Sequence, residues 1–377
     1  MEIDYSNPGH IKLALLSDGF TFNQQALENI GSGYKEKIRS YDSSDRIYLA
    51  TVPQEIALPD EVVVGVHWRP DSHWIVKGDG DNFVLYEEDR RVCDVKIYPR
   101  PRYYDIEIEP GVKASRIGVT LGKGAISFFL REDCEYWQNG DHCKFCSLKP
   151  TQMKFKETEQ YKRPETIGKV VAWARKLEDE LHHVQFSGGS RYEHDLEFKE
   201  YIEAVKVVSS ALGGERVNGN LITMPPRRLE MIQEAFDAGM NHISFNIEVF
   251  DQKLFREICP GKERSYGLAN MLRALEYAAT IFEKGTYTTF VSGLEKLETV
   301  FEGWDYLAER GVIPAMSVFH PNPNSVFANK RAPSKEYLLE AVVRQHDVYK
   351  KFGFKALLCK SCNRNSLDNE AAEGYFK

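Results

Sequence analysis

From about residue 111 onward, short apolar runs bounded by turn residues alternate with segments whose apolar residues recur at the helical period of 3.6. Helical faces of this kind lie within residues 167–177, 268–282 and 300–307. The predicted strands span residues 125–130, 184–187, 217–222, 243–247, 287–291, 316–319 and 356–358. Repeated strand–helix units predict an α/β fold, an open partial β/α barrel of about six parallel strands. Functional residues of such a barrel gather at the C-terminal ends of its strands.

The first 110 residues have a different pattern. A polar helical patch covers residues 24–40, and short β-like runs follow at 61–67, 74–77, 82–86 and 92–98. Pro99 and Pro101 then interrupt the chain, because a residue before proline is pushed out of regular helix. We therefore predict a small N-terminal α+β extension over residues 1–110, and the barrel with a C-terminal extension over residues 111–377.

Composition narrows the class of protein. The 377 residues are 42% hydrophobic and 28% charged, which is typical of a globular chain with a sizeable core. A net charge of -7 argues against general affinity for nucleic-acid backbone. Membrane association is not expected, because no apolar run approaches the ~20 residues of a spanning helix. The first ten residues lack the layout of a secretion signal, so we expect a cytoplasmic protein.

Cysteine usage agrees with that expectation. Seven cysteines are present, at positions 93, 134, 143, 146, 259, 359 and 362. An odd number in a long chain without an export signal suits reduced thiols or metal ligands better than a disulfide framework.

Three of these cysteines fall in one short segment, residues 134–146, which we name the cysteine loop. It follows the first predicted barrel strand, where a barrel keeps its active site. Thiolates from Cys134, Cys143 and Cys146 would hold three irons of a [4Fe–4S] cluster and leave the fourth iron open. The alternative is a zinc site that adds His142 or a remote residue to the same three cysteines.

The loop resembles the radical S-adenosylmethionine (radical SAM) superfamily, whose usual motif is Cys-x3-Cys-x2-Cys with an aromatic residue before the last cysteine. Cys143, Cys146 and the aromatic Phe145 match the second half of that motif. The first interval is eight residues instead of three, which resembles superfamily variants with a lengthened first interval.

Further segments resemble the same superfamily, in chain order at successive strand ends. Ser187, Gly188 and Gly189 are similar to the Gly-Gly-Glu segment whose backbone carbonyls hold the methionine amino group, although Ser190 replaces the acidic residue. Asn246 and Glu248 resemble an Asn-x-Glu strand of biotin-synthase-like and tyrosine-lyase-like members. There, two side chains on one face of a strand would meet a ribose diol. In that group a Cys-Pro-Gly-Lys loop follows, which makes Cys259 an unligated buried thiol.

Two later strand ends complete the resemblance. Gly293 and Glu295 lie in a segment similar to the Gly-Leu-Glu turn near the methionyl and adenosyl groups. His320 begins a proline-rich strand end, where it would be a substrate ligand, an acid/base group or a structural histidine.

The resemblance implies a [4Fe–4S] cluster, S-adenosylmethionine as cofactor, flavodoxin or ferredoxin as electron donor, and hydrogen abstraction from a small-molecule substrate. It favours a lyase that cleaves a C–C or C–N bond, and queuine-lyase-like salvage of a modified nucleobase is one narrow candidate. Alternatives are sulfur insertion, tRNA modification, and a non-enzymatic zinc or iron–sulfur protein. A homodimer is a further expectation.

A second pair, Cys359 and Cys362, follows the last predicted strand. Three interpretations stay open: redox or radical-donating thiols, ligands of a second metal, and thiols without a chemical role.

Overall fold

The computed structural model describes residues 4–30, 52–80, 82–150, 161–178, 181–322 and 324–377. Residues 31–40 of the predicted polar helical patch lie outside the described residues. The chain forms two compact units. Unit 1 comprises Met1–Pro101, Val291–Leu294 and Met316–Lys377, and unit 2 comprises Arg102–Phe290 and Glu295–Ala315.

The strands are β1 (Thr21–Phe22), β2 (Glu55–Leu58), β3 (Val62–Gly65), β4 (Trp74–Asp79), β5 (Asn82–Glu87), β6 (Arg90–Val95), β7 (Glu107–Glu109), β8 (Val112–Lys113), β9 (Val119–Leu121), β10 (Ala125–Phe129), β11 (His183–Ser187), β12 (Val217–Ile222), β13 (Met240–Ser244), β14 (Thr286–Ser292) and β15 (Ile313–Val318). The helices are α1 (Pro8–Asp18), α2 (Gln24–Ile30), α3 (Ala114–Ile117), α4 (Pro164–Leu177), α5 (His194–Ala211), α6 (Met231–Asp237), α7 (Gln252–Ile258), α8 (Pro260–Ser265), α9 (Leu268–Ile281), α10 (Leu297–Ala308), α11 (Lys335–Phe352) and α12 (Asp368–Glu373).

The predicted barrel is confirmed. A seven-stranded sheet runs in the order β15-β14-β13-β12-β11-β10-β9. Pairing is parallel from β10 to β14, and β9 closes the edge antiparallel to β10. The order follows the chain because each helix returns the backbone to the next parallel position. The C-terminal ends of β10 and β11 are adjacent, with Phe129 in register with Ser187. This pairing brings the cysteine loop, which follows β10, beside Gly188 and Gly189, which follow β11.

The helices of unit 2 follow the predicted faces. In α4 the residues Ile167, Val170, Val171 and Ala174 are fully buried, and Pro164 occupies the first turn, where its missing N–H costs nothing. In α10 the fully buried Trp304 contributes the largest apolar surface of its face. Burial of these stripes, more than helix propensity, stabilises the elements.

Unit 1 combines both ends of the chain. Its four-stranded sheet has the order β1-β4-β5-β6, and β2 pairs with β3 in a separate ribbon. Helix α1 begins at the cap Asn7, whose side chain accepts from the amides of Gly9 and His10. The Lys12 ammonium is fully buried and donates to Glu370 Oε1 at 2.8 Å and to the Asn363 carbonyl at 2.9 Å. These bonds join α1 to the C-terminal segment.

One strand prediction is wrong. Residues 356–358 form no strand, because the short apolar run continues from the turn that ends α11 into the turn Cys362–Asn365. A run of that length does not distinguish a strand from a buried loop. Residues 316–377 cluster with the N-terminal residues, whereas the sequence pattern grouped them with the barrel. As domain limits, 1–110 and 111–377 stay a prediction. Within the described ranges, each helix is too short or too polar to span a membrane.

Candidate active site

The cysteine loop leaves the C-terminal end of β10, as predicted. It carries one 3-10 turn, Glu135–Trp137, and its three cysteines are each partly exposed. Buried Tyr136 anchors the turn, with its hydroxyl 2.8 Å from Ser265 Oγ. The loop therefore has a fixed base and carries three cysteines of intermediate exposure.

The segment after β11 supports the loop from one side. Gly189 N donates to the Arg131 carbonyl at 2.8 Å, and Glu135 N donates to the Ser190 carbonyl at 2.9 Å. A Cβ atom built on Gly189 would lie 2.8 Å from Cys134 Cβ and would overlap the Asp133 carbonyl. Only glycine allows this approach of two backbones. The Ser187 carbonyl already accepts from Leu130 N at 2.8 Å.

Gly189→Ala is expected to displace residues 133 and 134 and to lower both stability and iron binding. Overpacking against backbone costs about 1–3 kcal/mol. Thermal unfolding of the apoprotein and an iron assay after anaerobic reconstitution measure the two effects. The neighbouring Ser190→Ala variant keeps the backbone bonds and should match the parent. Full iron content and an unchanged melting temperature in Gly189→Ala would show that the close approach is dispensable.

The chemistry of the three thiols fits a multi-iron cluster. Burial raises the pKa of Cys134 to about 12, with smaller contributions from Cys143 and Cys146. The pKa of Cys143 is also raised, first by hydrogen bonding with Cys259 and then by burial. Because thiolates are costly here without a cation, a bound metal would offset the cost. These residues are therefore suited to a cationic iron centre.

Zinc and a multi-iron cluster require different separations of their cysteine ligands. Tetrahedral zinc holds its sulfur ligands about 3.8 Å apart, since Zn–S bonds are about 2.3 Å. In the described part of the chain, the sulfur atoms of Cys134, Cys143 and Cys146 do not all lie within 4.8 Å of one another. Cysteines that each bind a different iron need a wider separation. His142 instead stacks on Trp137, with ring centroids 3.5 Å apart.

Asn246 and Glu248 lie beyond the strand on which they were predicted. β13 ends at Ser244, and Glu248 adopts a left-handed φ of 67°, so the two residues do not alternate along one strand. That conformation is uncommon for a side chain with a Cβ atom and is held by Glu248 N donating to the Thr289 carbonyl at 3.0 Å. The Asn246 side chain accepts from Ser244 Oγ at 2.6 Å.

The sequence pattern did not show that Glu248 has a charged partner. Lys262 Nζ lies 2.7 Å from Glu248 Oε1 and donates to the Asn246 carbonyl at 2.7 Å. Residues 260–262, predicted as a loop, begin helix α8 because Pro260 suits a first helical turn. Burial lowers the pKa of Lys262, but the neighbouring Glu248 carboxylate raises it, and the net effect is a rise. The side chain therefore stays an ammonium.

Glu295 also has partners that the sequence did not reveal. Its carboxylate accepts from Phe250 N at 2.7 Å and from Asp251 N at 3.1 Å, at the start of α7. Burial raises its pKa to about 6 despite these bonds. Gly293, in unit 1, has φ of 102° and lies against Pro333, so a side chain there would be strained and crowded.

The remaining predicted residues lie in unit 1. The His320 ring is 4.1 Å from the ring of His67, centroid to centroid. The sulfur atoms of Cys359 and Cys362 are 3.0 Å apart, and Cys362 N donates to Cys359 Sγ at 3.3 Å. Burial raises the pKa of Cys362. The catalytic roles of His320, Cys359 and Cys362 stay predictions.

Glu197, on α5, is a site residue that sequence reasoning missed. It is buried and accepts from Arg191 N at 2.7 Å and from Thr223 Oγ1 at 2.7 Å, which fixes the segment beside the cysteine loop. Arg191 in turn donates to Glu200 at 2.8 Å. Burial raises the pKa of Glu197 to about 7. The available signal was a glutamate on a helical face that also carries the apolar residues Phe198, Tyr201 and Val205.

Stability should fall as the pH rises from about 4.5 to 7. The folded state holds the Glu197 proton more tightly than the unfolded state, so this contribution is complete below the ordinary pKa near 4.5 and lost above pH 7. The shift corresponds to a loss on the order of 3 kcal/mol. Urea unfolding of the apoprotein at pH 5 and 7.5 measures it. Glu197→Gln should flatten the dependence, exposed Glu193→Gln should not, and equal slopes in all three proteins would contradict the assignment.

Part of the chain matches a known family of proteins. Residues 139–300 match the family model described as the Radical SAM superfamily. The chain is 24% identical to the bacteriochlorophyllide c C-7(1)-hydroxylase of Chlorobaculum limnaeum over an alignment of 303 residues, which covers 76% of this chain and 75% of that enzyme.

Methylornithine synthase matches with a TM-score of 0.43 and 14% identity, over 59% of this chain and 61% of that structure. The FeFe-hydrogenase maturase of Carboxydothermus hydrogenoformans matches with a TM-score of 0.44 and 16% identity, over 60% of this chain and 51% of that structure. A radical SAM methyltransferase of Sphaerobacter thermophilus matches with a TM-score of 0.44 and 12% identity, over 78% of this chain and 82% of that structure. The chain spans less than two thirds of the first two structures.

The matched family segment includes Cys143 and Cys146 and contains the barrel strands β11 to β14. The protein carries a domain of the radical SAM superfamily over residues 139–300. It is a radical SAM enzyme that uses a [4Fe–4S] cluster and S-adenosylmethionine. Cys134 precedes the matched residues, so its place in the ligand set stays a prediction.

Proposed function

We propose that Cys134, Cys143 and Cys146 hold the [4Fe–4S] cluster and leave one iron for S-adenosylmethionine. The observation that carries this proposal is the presence of three cysteines on one anchored loop at the C-terminal end of β10, two of which, Cys134 and Cys143, have raised pKa values. When bound, the two cofactors supply a 5′-deoxyadenosyl radical that removes a hydrogen atom from the substrate.

The neighbouring residues are proposed to bind and orient S-adenosylmethionine. The backbone of Gly188 and Gly189 would face its methionine amino group, with Ser187 and Phe145 completing that contact. Asn246 and Glu248 would meet the ribose diol. Since Lys262 engages Glu248 Oε1, we assign the other oxygen, Oε2, to the ribose. Gly293 and Glu295 would lie near the methionyl and adenosyl groups.

The proposed reaction is cleavage of a C–C or C–N bond in a small molecule, as in a lyase, with a modified nucleobase such as queuine as one candidate substrate. His320, Cys359 and Cys362 are the candidate residues for handling protons or hydrogen atoms. Hydroxylation is a second candidate, supported by the similarity to the bacteriochlorophyllide c hydroxylase across 76% of this chain. Acidic net charge supports a small-molecule substrate over nucleic acid.

The proposed cellular setting follows from the chemistry. A flavodoxin or ferredoxin would deliver the electron, and a reducing cytoplasm would keep the cysteines available. We also propose a homodimer, which size-exclusion chromatography with light scattering can test.

Anaerobic purification and reconstitution provide the first functional test. We expect brown protein with about four irons per chain and 5′-deoxyadenosine release from S-adenosylmethionine under reducing conditions. Colourless zinc-loaded protein would contradict the proposal. A panel of metabolites, including queuine and related deazapurines, should contain compounds that accelerate the release.

Product analysis then separates the two reactions. Two fragments whose masses sum to the substrate would support cleavage. A single product heavier by one oxygen, labelled from ¹⁸O-water or ¹⁸O₂, would support hydroxylation instead.

A further inference from the structure

Cys259 has no role in the function proposed above, yet it occupies a singular position in unit 2. It lies between α7 and α8, where its side chain is fully buried. Buried cysteines usually serve as small apolar residues. The surroundings of Cys259 are not entirely apolar, because the cysteine loop, with the thiol of Cys143, contacts it.

Two backbone hydrogen bonds fix that approach. Lys144 N donates to the Ile258 carbonyl at 2.9 Å, and Gly261 N donates to the Asp141 carbonyl at 2.8 Å. The two bonds lie on either side of Cys143 along the loop and on either side of Cys259 along the facing segment. Cys143 and Cys259 are therefore held opposite each other, and their side chains act as hydrogen-bonding partners.

A buried cation completes the arrangement. The Lys262 side chain is 11% exposed, and its ion pair with Glu248 and bond to the Asn246 carbonyl keep the ammonium on the same side of the loop. The positive charge of Lys262 interacts electrostatically with the thiol groups of both Cys143 and Cys259. The first turn of α8 is thus tied to the segment after β13, which leaves the Cys259 thiol little freedom to move away from Cys143.

Resting on the proposed ligation by Cys143, we propose that Cys259 is a positioning residue whose thiol donates a hydrogen bond to the Cys143 sulfur and raises the reduction potential of the cluster. A sulfur bound to iron as thiolate carries no proton, so in this pair it can only accept, and Cys259 must donate. The reduced cluster has one more negative charge than the oxidised cluster. A donor at a ligand sulfur stabilises that charge.

The test measures the potential directly. Parent, Cys259→Ala, Cys259→Val and Cys259→Ser proteins are reconstituted anaerobically, and the reduced cluster is titrated by electron paramagnetic resonance without S-adenosylmethionine. Alanine and valine remove the donor, and serine supplies a hydroxyl donor. We expect equal iron in all four proteins. At a fixed poise the ratio of reduced to oxidised cluster should fall about tenfold with alanine or valine, about 59 mV for one electron. Serine should restore most of the parent value.

The other outcomes are distinct. Equal potentials in all four proteins would overturn the inference and leave Cys259 a packing residue. Loss of iron from Cys259→Ala and Cys259→Val, to the extent seen in Cys143→Ala, would also overturn it, by making Cys259 a ligand. A parent protein without a cluster, or full iron in Cys143→Ala, would instead overturn the proposed ligation. Cys93→Ala, which changes a thiol in unit 1, controls for loss of any cysteine.

Discussion

Replacing Cys143 by alanine is expected to remove the [4Fe–4S] cluster and abolish release of 5′-deoxyadenosine. The loop offers three sulfur ligands for three irons, so one loss leaves the cluster with two protein ligands. Changes outside the ligand set of a metal site cost 10–100-fold, so loss of a ligand should reduce the rate by more than about 100-fold. Iron should fall from about four per chain to a small fraction of that.

The measurements are an iron assay, the visible absorption of the reconstituted protein, and mass-spectrometric detection of deoxyadenosine. Cys134→Ala and Cys146→Ala should behave like Cys143→Ala, because all three sulfurs are assigned to the same cluster. Cys93→Ala should retain colour and rate. An undiminished rate of deoxyadenosine formation in Cys143→Ala would show that the ligand assignment is wrong.

Lys12→Met is expected to destabilise unit 1 by about 3–5 kcal/mol, the usual cost of removing one partner from a buried ion pair. Lys12 is fully buried, and Glu370 is 3% exposed. Methionine fills a similar volume but leaves the Glu370 carboxylate without its cation, 2.8 Å from where the ammonium lay. The loss should loosen the C-terminal segment, since Lys12 also holds the Asn363 carbonyl.

Urea unfolding followed by circular dichroism measures this effect. The double variant Lys12→Met/Glu370→Leu should recover much of the stability, because an apolar pair can replace a buried ion pair at little cost. Lys96→Met provides the control: its ion pair with Glu61 is exposed and should be worth less than about 1 kcal/mol. A loss below about 1 kcal/mol in Lys12→Met would show that the buried pair does not stabilise the fold.

Local pattern was sufficient for much of the fold. The 3.6-residue period placed α4, α9 and α10, and apolar runs bounded by turns placed the strands from β10 to β15 within a few residues. Each of these elements buries one face, and the spacing of its apolar residues along the chain shows which face that is. The run at residues 356–358 was misassigned because it is too short to carry a period.

The chemistry of the site divides in the same way. The types and spacing of Cys134, Cys143 and Cys146, and the glycines that allow a close backbone approach, are local features, and the sequence by itself determined them. The tertiary structure alone decided that Lys262 neutralises Glu248, that Cys259 lies opposite Cys143, and that Lys12 joins α1 to the C-terminal segment. These partners are separated along the chain by 14, 116 and 358 positions. No periodic pattern links such residues, because only the packing of the folded chain brings their side chains together.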